Sequence, residues 1–487
     1  MIRRLLSASS RLLPLFLLLP TYLSASQEEV ISELEKMQEQ AGLRRASIGF
    51  CAIPLDGEPG EAFGYRPDLV LVPASTMKAI TTATALEILG PDLRFRTELH
   101  LTGEVDEGGT LEGSVIVRGG GDPTLAESNI AATFETWRAA LTEEGIKRVT
   151  GSIVGDASIF GTKRVPDSWQ WNDVGNYYGA GAVGLTFHQN QFYCTFRTPS
   201  VGAIAPFVGT DPRLPGITFV NEMRVGSSGS GDNGYIFGAP YGKVFYLRGT
   251  VPARSGTFTI RGALPDPAFF CARAFTKHLE EKGLEIEDEP TTLRLLGIEG
   301  TKLPARRVIH EQESETVANI LVRTNMKSNN LRAECLHRMN GFEAKGKGTL
   351  DSAERATRTL WEEMGVDLTG FQMEDGCGLS RANLVSARQM AEILYHAARG
   401  EHFDTFSASL PVAGRSGTLR SIGGGTPAEG RIRAKSGTIS RVRNYAGYAT
   451  AHSGKRYAFA IFVNHYEGEL WTVKDRIVGV WSKLVAL

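Results

Sequence analysis

The chain has 487 residues, 53 basic against 54 acidic side chains, a formal net charge of −1, and 42% hydrophobic with 22% charged residues, the composition of an ordinary soluble globular protein of about three domains. Near-neutral charge removes the electrostatic case for a nucleic acid or an anionic membrane surface as partner, because phosphate-binding chains carry a basic excess. Gly at 55 and Pro at 21 follow no period, which excludes collagen-like, solenoid and low-complexity architectures.

Arg3, Arg4 and Arg11 lead into the apolar stretch Leu12 to Leu23, and Ser24-Ala25-Ser26 supplies small residues before the acidic Gln27-Glu28-Glu29. That is the pattern of a secretory signal peptide, residues 1–26, with cleavage expected near Ser26. An apolar run of 12 residues broken by Pro14 and Pro20 falls short of the ~20 that span a bilayer. No Cys directly follows it, and no later segment reaches spanning length. Losing three Arg takes the charge from −1 to −4, so the expected product is an exported, mildly acidic chain, periplasmic or extracytoplasmic.

Beyond the signal, periodicity predicts a helix over 28–40 and a strand over 46–53, then a helix over Ala74 to Leu89 stopped by Gly90-Pro91. From Arg94 to Pro304 the pattern changes to short β-like runs between Gly-rich turns, interrupted by helices near 130–144 and 268–282. Gly226 to Gly234 reads as a mobile loop. Helices return from Glu315, at 315–326, 331–339, 352–364 and 386–398. A hairpin over 445–451 and 456–463 and a closing helix over 472–487 end the chain. The expected organisation is one α/β domain from 27–93 and 305–487, an inserted domain from 94–189 and 251–304, and an inner β-rich domain at 190–250.

Five scattered cysteines without Cys-x-x-Cys argue against a disulfide framework, and the nine His offer no His-x-His or His-Glu-x-x-His, so neither a metal nor another cofactor is expected. The chemistry lies elsewhere. Ser75 and Lys78 stand one helical turn apart on one face at the start of the Ala74 helix. A serine hydroxyl attacks carbonyls poorly until a base takes its proton, and an amine at i+3 is placed to do so. Lysine is protonated at neutral pH unless burial or another cation lowers its pKa, so a second positive group is expected nearby. Taken alone, Ser75 is a helix cap and Lys78 a solvated lysine. Two further motifs change that reading: Ser328-Asn329-Asn330, in a loop between helices, and Lys435-Ser436-Gly437-Thr438, before the hairpin. Each motif occurs once in the chain. Arg415-Ser416-Gly417-Thr418 mimics the last but does not lead into the hairpin, and is set aside.

In this order the three motifs resemble the active-serine set of penicillin-binding proteins and β-lactamases. Gaps of 253 positions from Ser75 to Ser328 and 107 from there to Lys435 resemble the low-molecular-mass class C penicillin-binding proteins, D-alanyl-D-alanine carboxypeptidase/endopeptidases, in which a long insertion separates the first two motifs. Gly119 to Leu125, Asp375 to Arg381 and Leu410 to Gly414 resemble the same family, from about residue 27 to the C-terminus. Asn329 stands where the family often has Asp, Ser436 where Thr is commoner, and Cys377 where Ser is usual. The resemblance implies a penicillin-binding-protein/β-lactamase-like domain, an antiparallel sheet flanked by helices, split by the β-rich insertion.

It also implies roles. Ser75 attacks the penultimate D-Ala carbonyl of a peptidoglycan stem peptide or cross-link, Lys78 takes its proton, and water hydrolyses the acyl-enzyme. Lys435 helps to keep Lys78 neutral, Ser328 passes a proton to the departing amine, and Asn330 holds Lys78 or the substrate amide. Backbone N–H groups of Ser75 and Thr438 form the oxyanion hole, and Ser436, Gly437 and Thr438 receive the substrate carboxylate. β-Lactams are expected as inhibitors that acylate Ser75. The alternatives are a β-lactamase or esterase on the same fold, against which no Glu-x-x-Leu-Asn follows Ser328, or a non-catalytic wall-binding protein.

Overall fold

A computed structural model describes residues 24–487, so nearly all of the expected signal peptide lies outside the described residues. Five antiparallel strands form the sheet that carries the site, in the order Phe63–Tyr65, Ser47–Pro54, Arg456–Asn464, Val442–Thr450, Ile432–Ile439. The expected strand and hairpin are thus neighbours, and the front of the chain closes onto its back. Helices cover both faces, so alternate residues of one strand enter different cores. Ala458, Ala460 and Phe462 join the core built on the helices Met77–Leu89, Val317–Lys327, Asn330–Lys345 and Ala387–Ala397. Phe459, Ile461 and Val463 join the opposite core, closed by the helices Ala25–Glu39 and Leu470–Leu484. The Met77–Leu89 helix is buried on nearly every side, Lys78 included. Ten consecutive residues of that helix, Met77 to Leu86, lie out of solvent, which fixes its N-terminal end rigidly under the cleft.

Residues between the first two motifs build three further layers. Thr291–Thr292, Ile153–Asp156, Val115–Arg118, Arg94–Thr102 and Arg306–Thr316 form one sheet. The helices Ile130–Glu143 and Pro267–Glu281 cover it. Gln191–Arg197 pairs with Phe207–Asp211 and with Thr257–Ala263, and Val244–Pro252 centres the last sheet, the two sharing an aromatic core. Strand pairing therefore carries the first of these sheets past residue 305 and joins 257–263 to the inner β-rich segment. Arg306–Thr316 escapes periodicity because it is an exposed edge strand. Ion pairs hold it to its neighbour, Arg96 with Glu311 at 3.7 Å and with Glu313 at 3.6 Å, rather than an apolar stripe. The loop expected at Gly226 to Gly234 is narrower, since strands Arg224–Gly226 and Asn233–Phe237 take its ends. All five cysteines are free and buried. No described helix is long and apolar enough to cross a membrane.

Candidate active site

Ser75 lies in a single 3₁₀ turn, Ala74–Thr76, that precedes the Met77–Leu89 helix. Ala74 has φ 47°, a left-handed value costly for a residue with a Cβ. The turn is clamped from two sides. A Cβ on Gly378, itself at φ +80°, would lie 1.8 Å from the Ala74 carbonyl oxygen, and one on Gly437 would lie 2.6 Å from the Pro73 oxygen and 3.1 Å from the Ser75 nitrogen. Only glycine lets both segments come this close. Gly437→Ala is expected to push the Lys435 strand away from Ser75, costing about 1–3 kcal/mol in denaturant unfolding and slowing acylation; a variant with unchanged stability and acylation rate would contradict this packing argument.

The three motifs meet in one cleft. Lys78 Nζ donates to Ser75 Oγ at 3.0 Å, to Asn330 Oδ1 at 2.7 Å and to the Cys377 carbonyl at 2.6 Å. Two of these partners only accept, while the hydroxyl can also donate. The same set therefore satisfies a neutral amine: its two hydrogens go to Asn330 and Cys377, and its lone pair takes the Ser75 proton. Asn330 Nδ2 donates to the Tyr178 carbonyl at 2.7 Å, which fixes the carboxamide and settles it on Lys78 rather than on a substrate amide in the free site. Ser328 caps the Val317–Lys327 helix at φ 55°, and Asn329 caps the next helix through Arg332 N. Capping is work that Asn and Asp both do, so Asn329 leaves the loop intact. Lys435 Nζ donates to Ser328 Oγ at 2.9 Å and to the Ser436 carbonyl at 2.7 Å.

Both amines are fully buried, and both are held below the ordinary lysine range. Burial is the first cause for Lys78, opposed by Cys377, Asp375 and Glu334. For Lys435 burial acts together with the charges of Lys78 and Arg443, and the push is stronger. Burial thus disfavours charge on Lys78, and the repulsion between the two amines, which acts on Lys435, lets the pair resist carrying two protons.

Several contributors to the site have roles that the sequence did not assign. Arg443 faces Thr438 across the strand pair and donates to its hydroxyl and to Tyr445; directly paired residues share a face, so the hairpin register carried that signal. Ser436 Oγ donates to Thr418 Oγ1 at 2.8 Å, which puts the segment set aside as a mimic against the site wall. Cys377 acts through its backbone: its N–H donates to Glu334 Oε1 at 2.8 Å while its carbonyl receives Lys78. Its thiol is pushed up by burial and stays protonated.

Glu334, Asp375 and Cys377 form the one group of metal-ligating types found among the described residues. The Asp375 oxygens already accept from Trp169, Gly378, Ser380 and Asn383. Glu334 is pushed up to about 7 by burial and by Asp375, toward a proton-bearing form that suits the loop better than a cation.

The D-Ala-D-Ala carboxypeptidase 3 (S13) family model matches residues 30–484. A D-alanyl-D-alanine carboxypeptidase of Actinomadura sp. (strain R39) is 31% identical over 90% of this chain and 82% of its own. The D-alanyl-D-alanine carboxypeptidase DacB of Haemophilus influenzae is 24% identical over 95% and 94%. The crystal structure of penicillin binding protein 4 (dacB) from Haemophilus influenzae superposes with a TM-score of 0.77 at 23% identity, covering 93% of this chain and 97% of that one. A second structure of that protein, complexed with a β-lactam, superposes with a TM-score of 0.75 at 23% identity over 94% and 98% of the two chains. With the whole described fold and the family model in agreement, the chain belongs to the D-Ala-D-Ala carboxypeptidase 3 (S13) family of serine-type D-Ala-D-Ala carboxypeptidases.

Proposed function

We propose that the chain hydrolyses peptidoglycan stem peptides ending in D-Ala-D-Ala, and cross-links made through D-Ala, by an acyl-enzyme on Ser75, and that β-lactams trap it by acylating the same oxygen. The observation that carries this reading is the Lys78 amine set between Ser75 Oγ and two fixed acceptors. Ser75 Oγ bonds to the penultimate D-Ala carbonyl carbon as its proton passes to Lys78 Nζ. The oxyanion so formed is held by the Ser75 and Thr438 N–H groups. As the C–N bond breaks, the departing nitrogen takes the Ser328 hydroxyl proton, which Lys435 replaces through its 2.9 Å contact. Lys78 has then gained a proton and Lys435 has lost one, so the pair's total charge is constant. Water attacks the ester and gives one proton back through Ser328 to Lys435, while Lys78 returns its own to Ser75. The outermost strand, Ile432–Ile439, presents Ser436, Gly437 and Thr438 to an extended peptide and its terminal carboxylate. The Arg-flanked apolar run before Ser24 supports action outside the cytoplasmic membrane.

Incubation of the chain with a penicillin should add one penicilloyl mass to the peptide that contains Ser75, and a D-Ala-D-Ala peptide should yield free D-Ala. An adduct mapped to another peptide would overturn the assignment. The proton-sharing step makes a pH prediction. Replacing Lys435 with Met removes a cation beside Lys78, so Lys78 keeps its proton to higher pH. The acid limb of the acylation rate should shift to higher pH, and at neutral pH the rate should fall. A limb that stays in place or moves down would refute the coupling.

A further inference from the structure

Lys78 rests on a loop that two buried carboxylates grip by consecutive N–H groups. Gly378 N donates to Asp375 Oδ1 at 2.6 Å, and the carbonyl of that same peptide group, on Cys377, receives Lys78 Nζ. One peptide group earlier, Cys377 N donates to Glu334 Oε1 at 2.8 Å while the Gly376 carbonyl accepts from Thr81 Oγ1 at 2.7 Å. Lys78 and Thr81 lie one turn apart on the Met77–Leu89 helix, so loop and helix are locked together at both contacts. Glu334 stands one turn after Asn330 on the Asn330–Lys345 helix, and Asn330 is the other fixed acceptor of Lys78. The two carboxylates differ in what surrounds them. Asp375 accepts from Trp169, Gly378, Ser380 and Asn383. Glu334 is 1% exposed, and its Oε2 has no hydrogen-bond partner. Arg338, one turn further on, spends Nη1 and Nη2 on the carbonyls of Gly348, Lys163 and Arg164. Holding one N–H needs no charge, since the carbonyl oxygen of a glutamine accepts the same hydrogen bond. A carboxylate buried with a single donor is costly, so its charge calls for a reason beyond the shape of the loop.

We infer that Glu334 is a positioning residue for acylation: it fixes the loop whose carbonyl orients Lys78, and its carboxylate stabilises the ammonium that Lys78 becomes on taking the Ser75 proton. The inference rests on the acyl-enzyme reading and deepens it. In that step the Ser75 O–H bond breaks, a Lys78 N–H bond and the Ser75 ester bond form, and Glu334 neither gains nor loses a proton. An anion that stays in place lowers the cost of the new cation in a site without water to do so. Burial holds the Lys78 amine down, and Cys377, Asp375 and Glu334 oppose it. The Cys377 thiol is pushed up by burial and stays protonated at neutral pH. His337, on the Glu334 helix, is pushed down to about 3 by burial and by Arg338 and stays neutral. The charges that bear on Lys78 are therefore the Asp375 and Glu334 carboxylates on one side and the Lys435 amine on the other. Glu334 itself is pushed up to about 7 by burial and by Asp375, with Arg338 and Cys377 pulling it back, so its charge is in place from about neutral pH upward.

The second-order rate of acylation by a penicillin, followed against pH in two variants, tests the assignment. Glu334→Gln keeps an acceptor for Cys377 N and removes the charge. Without that charge Lys78 loses its proton more readily, so the acid limb should move to lower pH, opposite to the shift expected for Lys435→Met. The plateau above the limb should fall roughly fivefold, because a less basic amine is a weaker proton acceptor. Glu334→Ala removes the acceptor as well, and should show the same limb shift with a plateau lower again by about fivefold. The denaturant midpoint of Glu334→Gln should match or exceed that of wild type, since a buried charge without a cation is gone, and its lost rate then reads as lost chemistry. A Glu334→Gln limb that stays in place or moves to higher pH overturns the proposal, as does a plateau equal to that of wild type. A fall in rate with an unmoved limb would leave Glu334 a part of the loop's shape alone, and overturns it too. Failure of the parent reading shows differently, as the absence of a penicilloyl adduct on the Ser75 peptide of wild type.

Discussion

Ser75→Ala is expected to abolish penicilloyl labelling and to lower D-Ala release by roughly 10⁴-fold or more, since loss of the nucleophile removes the covalent route. The fold should survive. Ser75 lies in a turn held by backbone contacts from Gly378 and Gly437 and by the Thr76 hydroxyl donating to the Pro73 carbonyl at 2.7 Å, none of which uses the Ser75 side chain. The hydroxyl accepts from Lys78, which keeps Asn330 and Cys377 as partners. Denaturant midpoints of wild type and variant should agree closely, so lost activity reads as lost chemistry. Equal penicilloyl labelling of the two proteins would remove Ser75 from its role, whatever the fate of D-Ala.

How far the site could be read from the chain depends on what kind of contact makes it. Ser75 and Lys78 were legible because i and i+3 share a helix face, and Ser328 to Asn330 because two helical patterns stop on either side of it. Lys435 was legible from its place before the hairpin expected over 445–451 and 456–463, which the structure forms with Val442 opposite Asn464 through Thr450 opposite Arg456. Burial or a second cation was expected to lower Lys78, with Lys435 named as the cation; that burial leads could not be read, because the depth of a side chain depends on helices that meet only in the fold. The Cys377 carbonyl left no trace in the sequence, since any residue there offers the same oxygen. The Glu334 carboxyl behind it reads in the chain as one more charge on the Asn330–Lys345 helix, although the fold buries it. In the insertion, strands with a short apolar run such as Val115–Arg118 were legible, whereas Arg306–Thr316 is a strand by pairing and charge alone. Its cross-strand ion pairs become visible only once its partner is known.

Lys78→Met should lower the second-order rate of acylation by a penicillin by roughly 10³-fold, toward the upper end of what a positioned general base contributes. Methionine matches the length of the stem in a fully buried channel but cannot take a proton from Ser75. The substitution has a second effect that separates it from simple damage. Lys435 is held down partly by the charge of Lys78, so with that charge gone Lys435 should keep its proton to higher pH, the counterpart of the upward shift expected on Lys78 when Lys435 is replaced. The residual acylation should therefore lose the acid limb of the wild type, because the group whose deprotonation shaped it is missing. Asn330 Oδ1 and the Cys377 carbonyl each lose a donor, which costs stability on the order of 1–3 kcal/mol per buried acceptor, offset by removal of the amine's own burial penalty. A Lys78→Met chain that keeps both the wild-type rate and its acid limb would show that some other group takes the Ser75 proton, and the neutral amine poised between one hydroxyl and two fixed acceptors would have lost its function.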